Sequence, residues 1–243
     1  MKRSILILTT ILFSFNSVNA QFWKNKGVKG NGEITTEERR TADYDEIYVV
    51  GSMDVELVAG TEGNIKVEAD SNLMEHIITE VTNGTLKIKP AEKVNLEPSR
   101  NRSIKITVPF KDLNEVKLTG SGDLWNTSVI RANTFRTALT GSGNINLDLD
   151  VEKLESQITG SGDTMLRGKS NYFGCKVTGS GDFEAYNLSV EDVKARVMGS
   201  GDIEVFASAS LDAKIMGSGD IHYKGKPDKQ DFKTMGSGAI SSK

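Results

Sequence analysis

The chain has 243 residues, with 30 basic and 33 acidic side chains and a formal net charge of −3. That balance supplies no basic face for a nucleic-acid partner. The single cysteine, Cys175, excludes an intrachain disulfide.

The N-terminus reads as an export signal. Lys2 and Arg3 are followed by an apolar run from Ile5 to Phe15 and by Val18-Asn19-Ala20 at the cleavage positions, so residues 1–20 are expected to be removed. The run is too short to span a bilayer, and no later segment reaches spanning length. Residue 21 is Gln, which excludes a lipid anchor on a new N-terminal cysteine. The expected location is outside the cytoplasm: periplasm, outer cell surface or extracellular space. Residues 21–32 lack hydrophobic periodicity and read as a flexible leader.

Residues 33–110 are β-rich but irregular. Ile47, Val49, Gly51-Ser52-Met53-Asp54, Val55 and Leu57 form a degenerate copy of a repeat that becomes strict further on. Ile65 to Ala69 alternates as a strand, and Ser71 to Thr82 fits either a short helical turn or a strand. Asn83-Gly84 ahead of Leu86 and Ile88 is a hairpin signal. Ala91 to Arg102, with Pro98 and several charges, reads as an exposed loop before a strand at Ile104, Ile106 and Val108. This half is expected to cap the solenoid that follows, with a separate β-sandwich as the alternative.

From residue 111 onward the tetrad Gly-Ser-Gly-Asp or a close variant begins at Gly120, Gly141, Gly160, Gly179, Gly199, Gly217 and Gly236. The intervals are 21, 19, 19, 20, 18 and 19 residues, the period of a solenoid. With the first Gly as position zero, position −2 holds Leu118, Leu139, Ile158, Val177, Val197 and Ile215. Position +4 holds Leu124, Ile145, Thr164, Phe183, Ile203, Ile221 and Ile240. Position −4 is small in five copies: Thr137, Ser156, Cys175, Ala195 and Ala213. Alternation on both sides of a Gly-rich corner predicts strand, corner, strand, then a second corner near Gly168-Lys169-Ser170-Asn171. The fold class is therefore all-β, a right-handed parallel β-helix or a β-roll with coils of about 19 residues. Cys175 falls in the small inward column and reads as a core filler, not a reactive thiol.

Val55-Glu-Leu-Val-Ala-Gly60, Ile65-Lys-Val-Glu-Ala-Asp70, Asn83-Gly-Thr-Leu-Lys-Ile88 and the Gly-Ser-Gly-Asp corners carry a resemblance. Over about residues 40 to 240 the chain resembles the family described as putative auto-transporter adhesin, head GIN domain. The resemblance implies a secreted bacterial envelope protein with a β-helical surface module, and it brings no catalytic residues. A literal Gly-Ile-Asn triplet is absent, and Gly143-Asn-Ile-Asn146 is the nearest match.

Candidate chemistry concentrates at position +3: Asp123, Asn144, Asp163, Asp182, Asp202, Asp220 and finally Ala239. In one reading each Asp accepts N–H bonds within its own corner. In the other, Asp123, Asp163, Asp182, Asp202 and Asp220 form a Ca²⁺-binding row, calcium requiring six to eight oxygens. One Gly-Asp corner per coil, interrupted by Asn and Ala, favours the first, so no metal or cofactor is expected. No catalytic residue is assigned: His76 and His222 lack metal-ligand spacing, and the corners match neither a nucleophile elbow nor a phosphate loop. Trp125, Tyr186 and Phe206 fall on outward parity as candidates for glycan stacking. The expected function is a non-enzymatic binding or adhesion module, with surface glycan or an envelope protein as partner and end-to-end self-association at the last coil. A carbohydrate-active β-helical enzyme and a purely structural envelope protein are the alternatives.

Overall fold

A computed structural model describes residues 26–243, so the export signal lies outside the described residues. In chain order the strands are β1 (Lys26–Lys29), β2 (Ile34–Arg40), β3 (Glu46–Gly51), β4 (Asp54–Ala59) and β5 (Asn64–Asp70). A 3-10 helix (Ser71–His76) precedes β6 (Ile77–Thr82), β7 (Thr85–Pro90), β8 (Val94–Glu97), β9 (Lys105–Phe110), β10 (Glu115–Gly120) and β11 (Asp123–Asn126). The repeats form β12 (Ile130–Gly141), β13 (Asn144–Gly160), β14 (Thr164–Gly179), β15 (Phe183–Gly199) and β16 (Ile203–Phe206). The last are β17 (Ser210–Gly217), β18 (Ile221–Lys224), β19 (Lys229–Gly236) and β20 (Ile240–Ser242).

Eighteen strands form one continuous sheet wound into a parallel β-solenoid. Corner glycines stack in register: Gly51 on Gly120, then Gly141, Gly160, Gly179, Gly199, Gly217 and Gly236. The degenerate copy at Gly51 is thus the first full layer, and the first half is continuous with the solenoid. Inward columns are buried as the alternation predicts, with Phe135, Phe173 and Phe183 fully enclosed. Each such side chain contributes about 1.5–3 kcal/mol of burial. Phe173 and Phe183 meet edge to face at 6.0 Å.

The corners explain the tetrad. The carbonyl of each first Gly accepts two N–H bonds from the next layer, as Gly160 does from Ser180 (2.8 Å) and Gly181 (3.1 Å). So close an approach leaves no room for side chains. A Cβ on Gly179 would sit 2.2 Å from the Gly160 oxygen, at a φ of 126° that favours glycine anyway. The second glycine has no positive φ, yet a Cβ on Gly181 would lie 2.1 Å from the Gly162 oxygen. Beneath the first layer there is no such corner. Pro90 lies 3.5 Å from a Cβ built on Gly51, and Met53 stands where later copies need the second glycine.

Near Gly168-Lys169-Ser170-Asn171 the chain keeps its interlayer pairing, with Gly168 at a φ of 108° and a Cβ there 2.0 Å from the Leu149 oxygen: β13, β14 and β15 run through residues 149–152, 168–171 and 187–191 as one ladder. The longer 20-residue coil is accommodated by a bulge, where the register shifts between Met165 and Arg167. The leader is not flexible over residues 26–29, which form β1 and pair in parallel with β8 inside the supposed loop at Ala91 to Arg102. Leu96 is buried there; two alternating apolar residues were too short a signal for a strand. Asp70, itself buried, pins this region by accepting the N–H of Gly32 (2.7 Å) and of Ser99 (3.0 Å).

The N-terminal end is capped. Residues 71–82 resolve into both alternatives, the 3-10 helix and then β6, with Leu73 and Met74 buried. β2, β5 and β6 pair antiparallel, unlike the repeats, and Asn83-Gly84 turns β6 into β7 with φ of 50° and 78°. Arg39 on β2 donates to the carbonyls of Ile77 and Met74, tying the two sides of the cap together. At the other end Phe232 takes the column that holds Ala213 one layer earlier and leans on Tyr223, with ring centroids 5.7 Å apart.

Unfolding measurements should separate these roles. Gly162→Ala, whose Cβ falls 2.0 Å from the Gly143 oxygen, is expected to cost about 2 kcal/mol or more, whereas Met53→Ala acts only through lost burial. For Asp70, burial alone would raise the pKa, but the N–H donors of Ser99 and Gly32 outweigh it and hold the carboxyl below its usual value. A depressed carboxylate stabilises the fold above its unfolded pKa, and that contribution is lost as pH falls through the folded one. Amide protection at Gly32 and Ser99 should therefore persist from neutral pH to below about pH 4 and then fall. Asp70→Ala should lose it already at neutral pH.

Candidate functional site

The position +3 row is a stacking device. Each side chain serves the next layer, not its own corner as expected from sequence. The Asp163 carboxylate accepts the N–H of Asp182 (2.9 Å), Asp182 that of Asp202 (2.7 Å), and Asp202 that of Asp220 (2.7 Å). Asp54 does the same for Asp123 (3.1 Å) and Asp220 for Ala239 (2.7 Å). Asn144 fits because its Oδ1 takes the Asp163 N–H at 3.4 Å, while its amide donates to Asp123 at 2.8 Å. Ala239 offers no side-chain acceptor, and among the described residues it lies in the last corner. Asp123, Asp163, Asp182, Asp202 and Asp220 thus share one row, each with an oxygen engaged along it. Among the described residues no three His, Cys, Asp or Glu side chains are grouped to hold a metal ion.

The outward aromatics do not form one platform. Trp125 is half-buried in the second corner layer with Lys105 Nζ 5.7 Å from its ring centre. Tyr186 lies three layers on, under Lys224 Nζ at 4.2 Å. Burial and then Glu204 push the Tyr186 phenol up to about 12. Its hydroxyl has no hydrogen-bond partner. His222 faces outward and meets the Ser241 hydroxyl at 2.9 Å, and His76 ends the 3-10 helix beside Glu75.

The concavity that sequence reasoning missed lies on the arm before the corners. Positions −5 and −3 face outward there, and successive layers place Arg136, Glu155, Gly174 and Lys194 in one column. Gly174 interrupts that column of side chains. It is buried in the middle of β14, and its φ is not positive. The nearest atom to a Cβ added at Gly174 is the Glu155 carboxylate at 2.2 Å, the movable end of a side chain. Every other glycine of the repeats would strike backbone instead. No backbone constraint demands glycine here, and a glycine inside a strand weakens it or marks a close approach. The result is an open groove of about 510 Å³, walled by Tyr172, Glu155, Arg136, Lys176, Lys194 and Arg196.

Electrostatics in the groove are mixed but mainly positive. Glu115 is held by Lys117 (2.7 Å), Glu155 by Lys153 (3.3 Å), and Arg196 pairs with Asp212. Lys153 Nζ also lies 5.5 Å from the Tyr172 ring centre. Burial, then the Glu155 charge, raises the Tyr172 phenol. Cys175 lies beneath the groove, buried, and desolvation pushes its thiol far above the ordinary range.

The family model described as "Putative auto-transporter adhesin, head GIN domain" matches residues 43–227. The chain belongs to that family. A solved structure from Parabacteroides distasonis, named a putative lipid binding protein, is 31% identical with a TM-score of 0.75, covering 90% of this chain and all of its own. A putative adhesin from Bacteroides fragilis shares the fold at TM-score 0.82 and 24% identity, covering 89% of this chain and all of its own. Another from Parabacteroides merdae does so at TM-score 0.72 and 22% identity, covering 89% of this chain and 99% of its own. No curated protein matches. The head GIN name points to an exported or envelope protein. No helix among the described residues is long and apolar enough to cross a membrane.

A thiol reagent checks the placement of Cys175. In native protein it should label the cysteine only at the rate of global opening, with full labelling in denaturant. Rapid native labelling would contradict the inward column.

Proposed function

We propose that this head GIN protein is an exported, non-enzymatic binding module of the cell envelope, which presents the groove over Gly174 to a surface glycan or an envelope protein. The observation that carries the reading is Gly174 itself, the one glycine of the repeats whose added Cβ would meet a side chain first and not backbone. An open groove on a rigid sheet suits an extended ligand, since its walls stand on strands locked by interlayer bonds. Tyr172 offers a ring, and Arg136, Lys176 and Lys194 offer charged hydrogen-bond donors.

Support for binding over turnover comes from the carboxylates. Glycoside hydrolysis uses two carboxyl groups flanking the bond, one of them protonated. In the groove Glu115 and Glu155 are each engaged in an ion pair with a lysine, with neither carboxylate left to flank a scissile bond on its own. The adhesin names in the family agree with a binding role, and the relative named a putative lipid binding protein adds lipid to the ligand classes worth testing.

The test is an array of bacterial surface polysaccharides probed with mature protein and with Gly174→Leu, which fills the groove from its floor. Wild type should be retained and the variant should bind at least about tenfold more weakly, a loss of about 1.4 kcal/mol. Equal binding would remove the groove from the account. Release of new reducing or unsaturated ends from any polysaccharide would replace the adhesion reading with an enzymatic one.

A further inference from the structure

The outward column just before the corner changes character along the solenoid. It reads Thr119, Thr140, Thr159 and Thr178, then Met198, Met216 and Met235. The three methionines are in register, Met198 beside Met216 and Met216 beside Met235. They are 37%, 52% and 63% exposed and make up half of the large exposed hydrophobics among the described residues. Two positions back on the same face runs a second ladder, Lys176 beside Arg196, Arg196 beside Lys214 and Lys214 beside Lys233. Layers about 4.8 Å apart make these two continuous parallel strips, one apolar and one cationic.

Each strip is a poor choice for stability alone. Like charges directly across a ladder repel. Exposed methionine leaves apolar surface in water, in a column where earlier layers use threonine, a better strand former. Both unfavourable choices fall side by side on the same layers, the pattern expected where a surface serves a partner. Neighbouring carboxylates do not cancel the charge. Asp212 contacts Arg196 and lies 3.6 Å from Lys214, and Asp231 lies 3.6 Å from Lys233. On the outward face of these strands six cations, Lys176, Lys194, Arg196, Lys214, Lys229 and Lys233, stand against three carboxylates, Asp192, Asp212 and Asp231.

The geometry narrows the partner. The strips are flat, evenly spaced and unenclosed, which suits a repeating surface and not a discrete small molecule. Unbranched methionine side chains adapt to irregular apolar contact. Thioethers also accept soft metal ions, but a cationic strip alongside opposes that. A bilayer bearing anionic headgroups matches both strips together, with phosphates against the lysines and arginine and acyl chain against the methionines. We propose that the Met198–Met216–Met235 face docks this protein on an anionic lipid surface; its cationic strip meets the edge of the groove over Gly174 at Lys176, Lys194 and Arg196, and its methionines lie outside that groove.

Mature protein would be sedimented with vesicles of phosphatidylglycerol and phosphatidylethanolamine, and with vesicles of phosphatidylcholine alone. Wild type should partition onto the anionic vesicles, weaken as salt is raised, and bind the neutral ones little. The triple variant M198T/M216T/M235T restores the residue used by earlier layers, so it should melt like wild type yet bind at least about tenfold more weakly. The double variant K214Q/K233Q should lose both affinity and salt dependence. The triple variant should bind the polysaccharide array as wild type does, because the methionines lie outside the groove, which separates failure here from failure of the groove. Undiminished binding by the triple variant, or no partition of wild type onto anionic vesicles, would overturn the proposal. Retention on polyglutamate in place of vesicles would reassign the face to an acidic protein partner.

Discussion

The structure depends on one contact repeated at every corner: two N–H groups of one layer meeting the carbonyl of the first glycine in the layer before. It is directional, each layer resting on its predecessor, and so is the bond from each position +3 side chain to the next layer's N–H. Backbone approach at about 2.0–2.3 Å from a notional Cβ admits only glycine at both tetrad positions. The exceptions obey the direction. Among the described residues Met53 breaks the glycine rule in the first corner layer, and Ala239 breaks the carboxylate rule in the last. A calcium row or a catalytic row gives no reason for these two departures to fall at opposite ends.

Fixing the corners fixes the columns, and the columns divide the labour. Inward positions form ladders of like residues that fill the core, so little freedom for chemistry remains inside. Outward positions are released from packing, and departures from the repeat become informative there. Gly174 and the switch from threonine to methionine are both of this kind: neither is required by the backbone, and each leaves a surface different from the layers before it.

Much of this was legible in the sequence because a solenoid writes its geometry periodically. The inward columns, the hairpin at Asn83-Gly84 and the buried place of Cys175 follow from alternation and turn chemistry alone. Three things were not legible. Which N–H each Asp serves depends on the layer spacing, and the local pattern points equally well to its own corner. The pairing of β1 with β8 joins segments nearly 70 residues apart through Val28, Val94 and Leu96, too few apolar positions to show a period. The groove was invisible because a missing side chain has no motif, and Gly174 looked like one more glycine among 24. The distinction lies in what a Cβ would meet.

Amide hydrogen exchange at the two end corners tests the directional stacking most directly. Ser237 and Gly238 donate to the Gly217 carbonyl at 3.0 and 3.3 Å, although they lie in the final layer. Ser52 and Met53 occupy the same positions in the first layer, with Pro90 and no corner carbonyl beneath Gly51. Protection is expected at Ser237 and Gly238 and faster exchange at Ser52 and Met53, even though the latter pair is nearer the capped end. Protection of Ser52 and Met53 with free exchange at Ser237 and Gly238 would contradict it.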